Sequence, residues 1–124
     1  MRVLDNVLLA TAVSLTVSPM YGQGNEIVVE KVQANNISGL VYGGPKDRGN
    51  LLKDVRILQC DWKFQSCMES AVTDEGGHFV VPGNLAQLKV VYLEFLSPGF
   101  DRVDLTVSFH RRAPKLEVVL PLGA

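Results

Sequence analysis

The sequence has few of the residues from which metal sites and catalytic triads are built. It contains two histidines and two cysteines among 124 residues. His78 follows a glycine-rich stretch and His110 precedes two arginines, and no motif brings a carboxylate and a nucleophile to either imidazole. Zinc sites and Ser–His–Asp arrangements need such partners. We therefore expect structural or solvent-facing histidines, no metal or other cofactor, no catalytic residues and no enzymatic activity.

The sequence also lacks an excess of charge of either sign. Twelve lysines and arginines stand against 13 aspartates and glutamates, which gives a formal net charge of -1. A chain with so little net charge does not attract nucleic acid or an anionic membrane through its overall field. Nucleic acid is therefore not an expected partner.

Long hydrophobic runs are absent apart from one near the N-terminus. Val7 to Val17 is apolar, follows the basic residue Arg2 and precedes a small-residue stretch that ends with Gly22 and Gly24. This pattern is typical of a secretory signal peptide, and the run is shorter than the ~20 residues that span a bilayer. We predict a signal peptide over residues 1–24, a secreted or periplasmic protein, and no membrane span after its removal. The alternative is a buried N-terminal strand or helix.

Segments with helical periodicity are missing from residue 37 onward, and apolar and polar residues alternate instead. Such alternation is typical of half-buried strands. Seven strands are predicted near residues 37–41, 55–60, 68–73, 78–81, 88–96, 103–109 and 116–122. Because no helix is available to connect parallel neighbours, the pattern predicts an all-β fold, a seven-stranded antiparallel sandwich in a domain over residues 37–124. Residues 25–36 are an N-terminal extension in this interpretation, although they can also form a short strand.

The segment from Thr73 to Phe79 contains the clearest turn. Asp74 can accept hydrogen bonds from nearby backbone N–H groups, and Gly76 and Gly77 tolerate the positive φ that a reversing turn requires. We predict that Asp74 and Gly77 are structural turn residues and that the turn joins two neighbouring strands as a hairpin.

Several short motifs resemble, in order, those of the carboxypeptidase regulatory-like domains. The strongest are the T-D-x-x-G-x-F pattern of Thr73 to Phe79 and the corner Ser97-Pro98-Gly99-Phe100, supported by the strands around residues 37–41, 52–57 and 116–120. The resemblance covers about residues 37–122. It implies a transthyretin-like (prealbumin-like) Greek-key sandwich and a non-catalytic accessory or interaction module of a kind found in secreted and outer-membrane proteins.

The two cysteines, Cys60 and Cys67, lie near the facing ends of the second and third predicted strands. In an oxidising compartment, cysteines that face each other across a hairpin are expected to form a disulfide. The alternative is a pair of buried thiols on opposite faces. Metal ligation is less favoured because no second cysteine or histidine pair has suitable spacing.

Two loops contain the candidate binding residues. Trp62 and Phe64 lie between the second and third strands, and Arg111 and Arg112 lie in a basic turn before the last strand. Exposed aromatic residues beside polar groups are typical of sugar-binding surfaces, and the glycine-rich loop Gly43 to Asn50 is a candidate neighbour. The alternatives are that Trp62 folds over one end of the sandwich and that the basic turn is simply solvated.

These patterns together predict an exported, non-catalytic binding or interaction module. It engages a protein or glycan through loops at one end of the sandwich, and we expect it to be a monomer. The alternative is a structural subunit or spacer that associates with another chain through an exposed edge strand.

Overall fold

A computed structural model of the protein describes residues 26–44 and 49–123. Within these residues β-strands are the main regular structure, and there is almost no helix. The strands are β1 Ile27–Ala34, β2 Ser38–Gly43, β3 Asn50–Leu51, β4 Arg56–Cys60, β5 Cys67–Val72, β6 His78–Val80, β7 Val90–Leu96, β8 Arg102–Phe109 and β9 Leu116–Leu120. A 3-10 turn at Trp62–Phe64 and one helical turn, α1 at Leu85–Leu88, complete the elements. The predicted signal peptide lies outside the described residues.

The strands form two sheets. The larger sheet has the order β1-β8-β7-β4-β5, and the smaller is built on β2, which pairs with β9 along one edge and with β6 and β3 along the other. All seven predicted strands are present, which confirms the all-β prediction. The prediction of seven strands in a purely antiparallel arrangement is wrong, because β1 and β3 are additional strands and the β1–β8 and β2–β9 pairs are parallel.

β1 is an integral edge strand of the larger sheet. It pairs in register with β8 over its whole length, Ala34 is completely buried, and Val28 and Val32 pack against the core. The sheet therefore begins at Ile27, before the domain start at residue 37 that the sequence predicts. Parallel pairing with a strand so distant in the sequence leaves no local pattern from which it could be predicted.

The turn at Asp74 forms as expected, but it does not close a hairpin. Gly77 donates to the Asp74 carbonyl and has a φ of 76°, while Asp74 Oδ1 accepts from the Gly76 and His78 N–H groups. The two hydrogen bonds to the carboxylate, above all that from the His78 N–H group, lower the pKa of Asp74. β5 belongs to the larger sheet and β6 pairs with β2 in the smaller one. The turn thus carries the chain between the sheets, and the hairpin prediction is wrong.

The core fills the space between the two sheets. Phe95 of β7 and Phe79 of β6 meet edge to face with ring centroids 5.5 Å apart, and they join the larger sheet to the smaller one. Alternate residues of β7 and β8 point into this core, as their sequence pattern predicts. The other completely buried residues include Ile37, Val41, Val55, Ile57, Leu93, Val107 and Leu120. No helix among the described residues has the length and hydropathy that crossing a membrane requires.

Candidate functional site

One end of the molecule brings together both loops that the sequence analysis selected. Cys60 at the end of β4 pairs with Tyr92, Val90 at the start of β7 pairs with Ser108, and Ala34 pairs with Phe109 at the end of β8. The β4–β5 connection, α1, the β1–β2 turn and the β8–β9 turn therefore share one end, which we call the loop end.

The described residues of the glycine-rich loop, which are residues 43, 44, 49 and 50, lie at the opposite end. Of these, Gly44 donates to the Leu120 carbonyl, at the end of β9 that is remote from the β8–β9 turn. Contrary to the expectation, the described residues of this loop do not neighbour Trp62. Loop adjacency depends on strand direction, which the sequence pattern does not reveal.

The β4–β5 connection holds the two aromatic candidates in different environments. Phe64 turns back and packs edge to face on Tyr92, with the ring centroids 5.4 Å apart. Trp62 is 64% exposed, and the Lys63 ammonium lies 4.4 Å from the centroid of its indole ring. The alternative in which Trp62 covers the end of the sandwich is therefore wrong.

A disulfide and two hydrogen bonds between Asp61 and Ser66 close this connection. Cys60 and Cys67 are directly opposite each other in the β4–β5 ladder and are bonded, which confirms the predicted bridge. Asp61 donates to the Ser66 carbonyl, and its carboxylate accepts from the Ser66 N–H group. The tip that carries Trp62 thus projects from a closed hairpin.

The basic turn between β8 and β9 presents its arginines outward. The Ala113 N–H group donates to the His110 carbonyl, so Arg111 and Arg112 occupy the two central positions of a tight turn, and both are exposed. The Arg112 N–H group also donates to Nδ1 of His110. Asn35 at the end of β1 donates to the Arg111 carbonyl, which attaches the turn to the larger sheet.

A polar cleft of about 440 Å³ lies beside this turn, and the sequence analysis did not identify it. Three asparagines line it, and the side-chain amide of each makes one hydrogen bond to the backbone. Asn35 donates to the Arg111 carbonyl, Asn36 accepts from the Ile37 N–H group, and Asn84 accepts from the Gln87 N–H group. The remaining lining residues are Gly83, Leu85, Ala86 and Phe109. In the sequence these asparagines mark a turn and a helix cap, and only the tertiary fold brings them together.

The charges of the loop end are mostly positive. This distribution contrasts with the net charge of -1 for the whole chain. Asp61 is the acidic residue of the connecting segments at this end within the described chain, and the basic residues there are Lys63, Lys89, Arg111, Arg112 and Lys115. The loop end therefore has a local excess of positive charge, although the chain as a whole does not.

The outer face of the larger sheet carries a second cluster of charges. Glu94 and Asp104 are cross-strand partners and both are buried, with Arg102 Nε 3.0 Å from Asp104 Oδ1 and Arg102 Nη1 3.9 Å from Glu94 Oε2. Burial raises the pKa of both carboxyls, and the guanidinium opposes this rise. Alternation along β8 correctly predicted that Asp104 points away from the core but not that it is buried.

The Glu94 carboxylate also lies within 4.8 Å of both cysteine sulfurs. Because the sulfurs are bonded to each other, they are not thiolate ligands, and Glu94 alone offers a metal-binding atom in this group. Among the described residues, the partners of the two histidines lie within their own turns. His78 Nδ1 is 3.4 Å from the exposed Asp74 carboxylate, and His110 accepts from Arg112.

The loop end thus combines an exposed indole, outward-facing arginines and a polar cleft on one surface. This arrangement can bind a ligand by stacking, charge and hydrogen bonding. Comparison of the chain with protein-family models, curated proteins and solved structures finds no match.

Proposed function

We propose that this protein is an exported, non-catalytic binding module of the carboxypeptidase regulatory-like type. It binds a carbohydrate or protein partner through the loop end, with Trp62, Arg111 and Arg112 as direct contacts and Phe64 as support for the loop. The observation that carries the proposal is the 64% exposure of the single tryptophan on a disulfide-closed hairpin. Tryptophan is highly buried on average in folded proteins, and tryptophan and tyrosine are enriched at interfaces.

The Cys60–Cys67 bridge supports export. Disulfides persist in oxidising compartments and are rare in the cytosol. This agrees with the expectation that a signal peptide precedes the folded domain.

A binding screen with variants of the loop end tests the proposal. The oxidised protein is immobilised and exposed to a glycan array and to native envelope extract, beside a triple variant with Trp62→Ala, Arg111→Ala and Arg112→Ala. We expect the triple variant to lose the captured ligand. The matched control carries Lys53→Ala and Leu122→Ala at the opposite end and should retain it. A ligand that both variants retain equally would contradict the proposal.

The second candidate is a structural subunit that associates through an edge strand. One observation favours it, because the edge strand β1 exposes Ile27 by 50% and Val29 by 66%. In the two antiparallel registers centred on β1, however, Glu30 or Lys31 would face its own equivalent in a second copy, and like charges directly opposite each other destabilise a sheet. Light scattering over a range of concentrations separates the candidates, since only edge association produces oligomers without ligand.

A further inference from the structure

We propose that the ligand of the loop end is an acidic polysaccharide, specifically a polyuronate chain. The polysaccharide extends from the asparagine-lined cleft to Trp62 and contacts the basic residues that lie between them. This inference rests on the proposed binding function and names the chemical class of the ligand.

These basic residues follow the strand order of the larger sheet. Lys63 follows the end of β4, Lys89 precedes β7, and Arg111 and Arg112 follow β8. Because β4, β7 and β8 are consecutive neighbours in this sheet, these four residues follow one another across the loop end in strand order, and we call them the basic track. Neighbouring strands lie about 4.8 Å apart, so the track spans about 10 Å from β4 to β8.

Such a series of cations suits a polymer with repeating negative charges better than a single anion. A compact anion can neutralise only one part of the basic track, whereas a chain with one carboxylate per sugar can pair with several cations at once. The side chains of the basic track make no ion pairs with carboxylates among the described residues, which leaves these cations available to a ligand. Charge complementarity of this kind also accelerates association.

The cleft at one end of the basic track offers pre-organised partners for hydroxyl groups. Each lining asparagine is held by one backbone hydrogen bond, and its other amide group makes no further bond within residues 26–44 and 49–123. Asn36 and Asn84 therefore present amide donors, and Asn35 presents a carbonyl acceptor. Groups already fixed in position lose little conformational entropy on binding. Sugar hydroxyls both donate and accept, so they match this mixed set.

Trp62 at the other end of the basic track provides a stacking surface with a charge beside it. The Lys63 ammonium lies 4.4 Å from the ring centroid, while 64% of the residue remains exposed. A sugar ring can pack its C–H groups on the indole and place its carboxylate near Lys63. Stacking and ion pairing would then act on the same sugar acid.

An anionic membrane is the competing partner, because Leu88 and Val90 are also partly exposed at this end. Lys89 separates these two residues, so the apolar surface is interrupted by a charge. The three asparagines line a recess, and a bilayer surface cannot enter it. The polar recess therefore favours a narrow polyhydroxylated chain over a lipid surface.

Binding to matched polysaccharides tests the inference. The probes are polygalacturonate and polymannuronate, each in its free-acid and fully methyl-esterified form, which keeps the sugar backbone and removes the charge. We expect at least one free acid to bind and its ester to bind at least about tenfold more weakly. Raising sodium chloride from about 50 to about 300 mM should weaken binding to the free acid by a similar factor.

Three variants then locate the bound polysaccharide on the loop end. Trp62→Ala tests stacking, Arg111→Ala with Arg112→Ala tests the basic track, and Ala86→Met fills the cleft without removing a hydrogen bond. Each should weaken binding by about tenfold or more, while Lys53→Ala with Leu122→Ala at the opposite end should change it less than about twofold. Unchanged binding by all three loop-end variants would overturn the inference.

The remaining outcomes separate this inference from the proposed function. Equal binding of acid and ester, or loop-end-dependent capture of a protein without any polyuronate binding, would overturn the inference and leave the binding function standing. Binding to phosphatidylglycerol vesicles but not to either acid would assign the surface to a membrane. Equal affinity for an oligothymidylate would show a general polyanion site and would also overturn the inference. Failure of the proposed function is a different result, in which no ligand depends on the loop end.

Discussion

Trp62 and Phe64 are two residues apart, yet their side chains have different roles. Phe64 is half-buried against Tyr92, whereas Trp62 remains exposed beside Lys63. The backbone explains this separation, because Lys63 and Phe64 both have positive φ and the chain reverses sharply between the two aromatic rings. One ring anchors the connection and the other is free to contact a ligand.

The anchoring role of Phe64 and the exposure of Trp62 are separately measurable. Because Trp62 is the single tryptophan, we expect the red-shifted, readily quenched fluorescence of an indole in water. Trp62→Ala should change the free energy of unfolding by less than about 0.5 kcal/mol. Phe64→Ala removes the contact with Tyr92 and should cost about 1 kcal/mol or more. A blue-shifted emission that resists acrylamide would contradict the exposed position.

Asp101 should make the protein less stable as the pH rises. Burial, followed by the nearby Glu26 carboxylate, raises the pKa of Asp101 from 3.8 to about 6. The folded state therefore holds this proton more tightly than the unfolded state, so the stabilisation is complete below about pH 4 and is lost as the pH rises through about 6. The rise in pKa limits this loss to about 3 kcal/mol.

Denaturation by urea between pH 4 and pH 7 checks this expectation. Asp101→Asn should reduce the loss of stability that the wild type shows over this range, while Glu94 and Asp104, whose pKa values are also raised by burial, still contribute in the same direction. Asp74→Asn is the control, because the pKa of Asp74 is lowered from 3.8 and its contribution disappears only as the pH falls below about 4. Between pH 4 and pH 7 the profile of Asp74→Asn should therefore follow that of the wild type. Identical pH profiles for the wild type and Asp101→Asn would show that Asp101 does not act in this way.

Among the elements, the β4–β5 hairpin carries the clearest functional consequence. Its disulfide joins directly opposite residues, so the bridge closes the loop that carries Trp62. A constraint on so short a loop stabilises the fold and also limits the number of positions that the tip can adopt.

Removal of the disulfide should weaken both folding and binding. We expect Cys60→Ala with Cys67→Ala to lower the free energy of unfolding by about 2.5 kcal/mol, measured by urea denaturation. Binding through Trp62 should weaken as well, because the loop must then be ordered by the ligand. Reduction of the wild type with dithiothreitol provides a control without substitution. A stability that changes in neither protein would contradict this role.

The turn between β5 and β6 depends on Gly77 in two ways. Its φ is positive, and a Cβ at this position would lie 3.0 Å from both the Leu51 Cβ and the Val41 carbonyl oxygen. Gly99 also has a positive φ, but a Cβ there would meet nothing within 4 Å. Both alanine variants strain the backbone by about 1 kcal/mol, and Gly77→Ala should cost clearly more because of the close contacts. Equal melting temperatures for the two variants would contradict this difference.

In the molecule as a whole, β1 determines where the folded unit begins. It covers the outer edge of β8 and adds Val28, Val32 and Ala34 to the core. The alternating pattern from which the sequence analysis predicts the sandwich begins only near residue 37. The structure thus adds a parallel edge strand to the seven strands that the sequence predicts.

A chain that begins at residue 37 should therefore be much less stable than one that begins at residue 26. The loss of three apolar side chains from the core should cost roughly 3 kcal/mol or more, and β8 would become an exposed edge. Thermal unfolding of the two chains checks this expectation. A chain without β1 that melts at the same temperature would show that residues 25–36 are only an extension.

Sequence alone was sufficient for features that depend on nearby residues. The alternation from Val103 to Phe109 predicts β8, the short separation of Cys60 and Cys67 predicts the disulfide, and Asp74 with Gly77 predicts the turn. Each follows from a local rule, namely the two-residue period of a strand, the closure of a short loop, or the backbone freedom of glycine.

The tertiary structure was needed for every feature that depends on which strands are neighbours. It made β1 a parallel partner of β8, separated β5 from β6, and brought Asn35, Asn36 and Asn84 to one cleft beside the basic track. Such juxtapositions arise from pairing between residues far apart in the chain, and their stability comes from burial in a shared core. A local pattern records that a residue faces the core or the solvent, but not which distant residue will lie beside it.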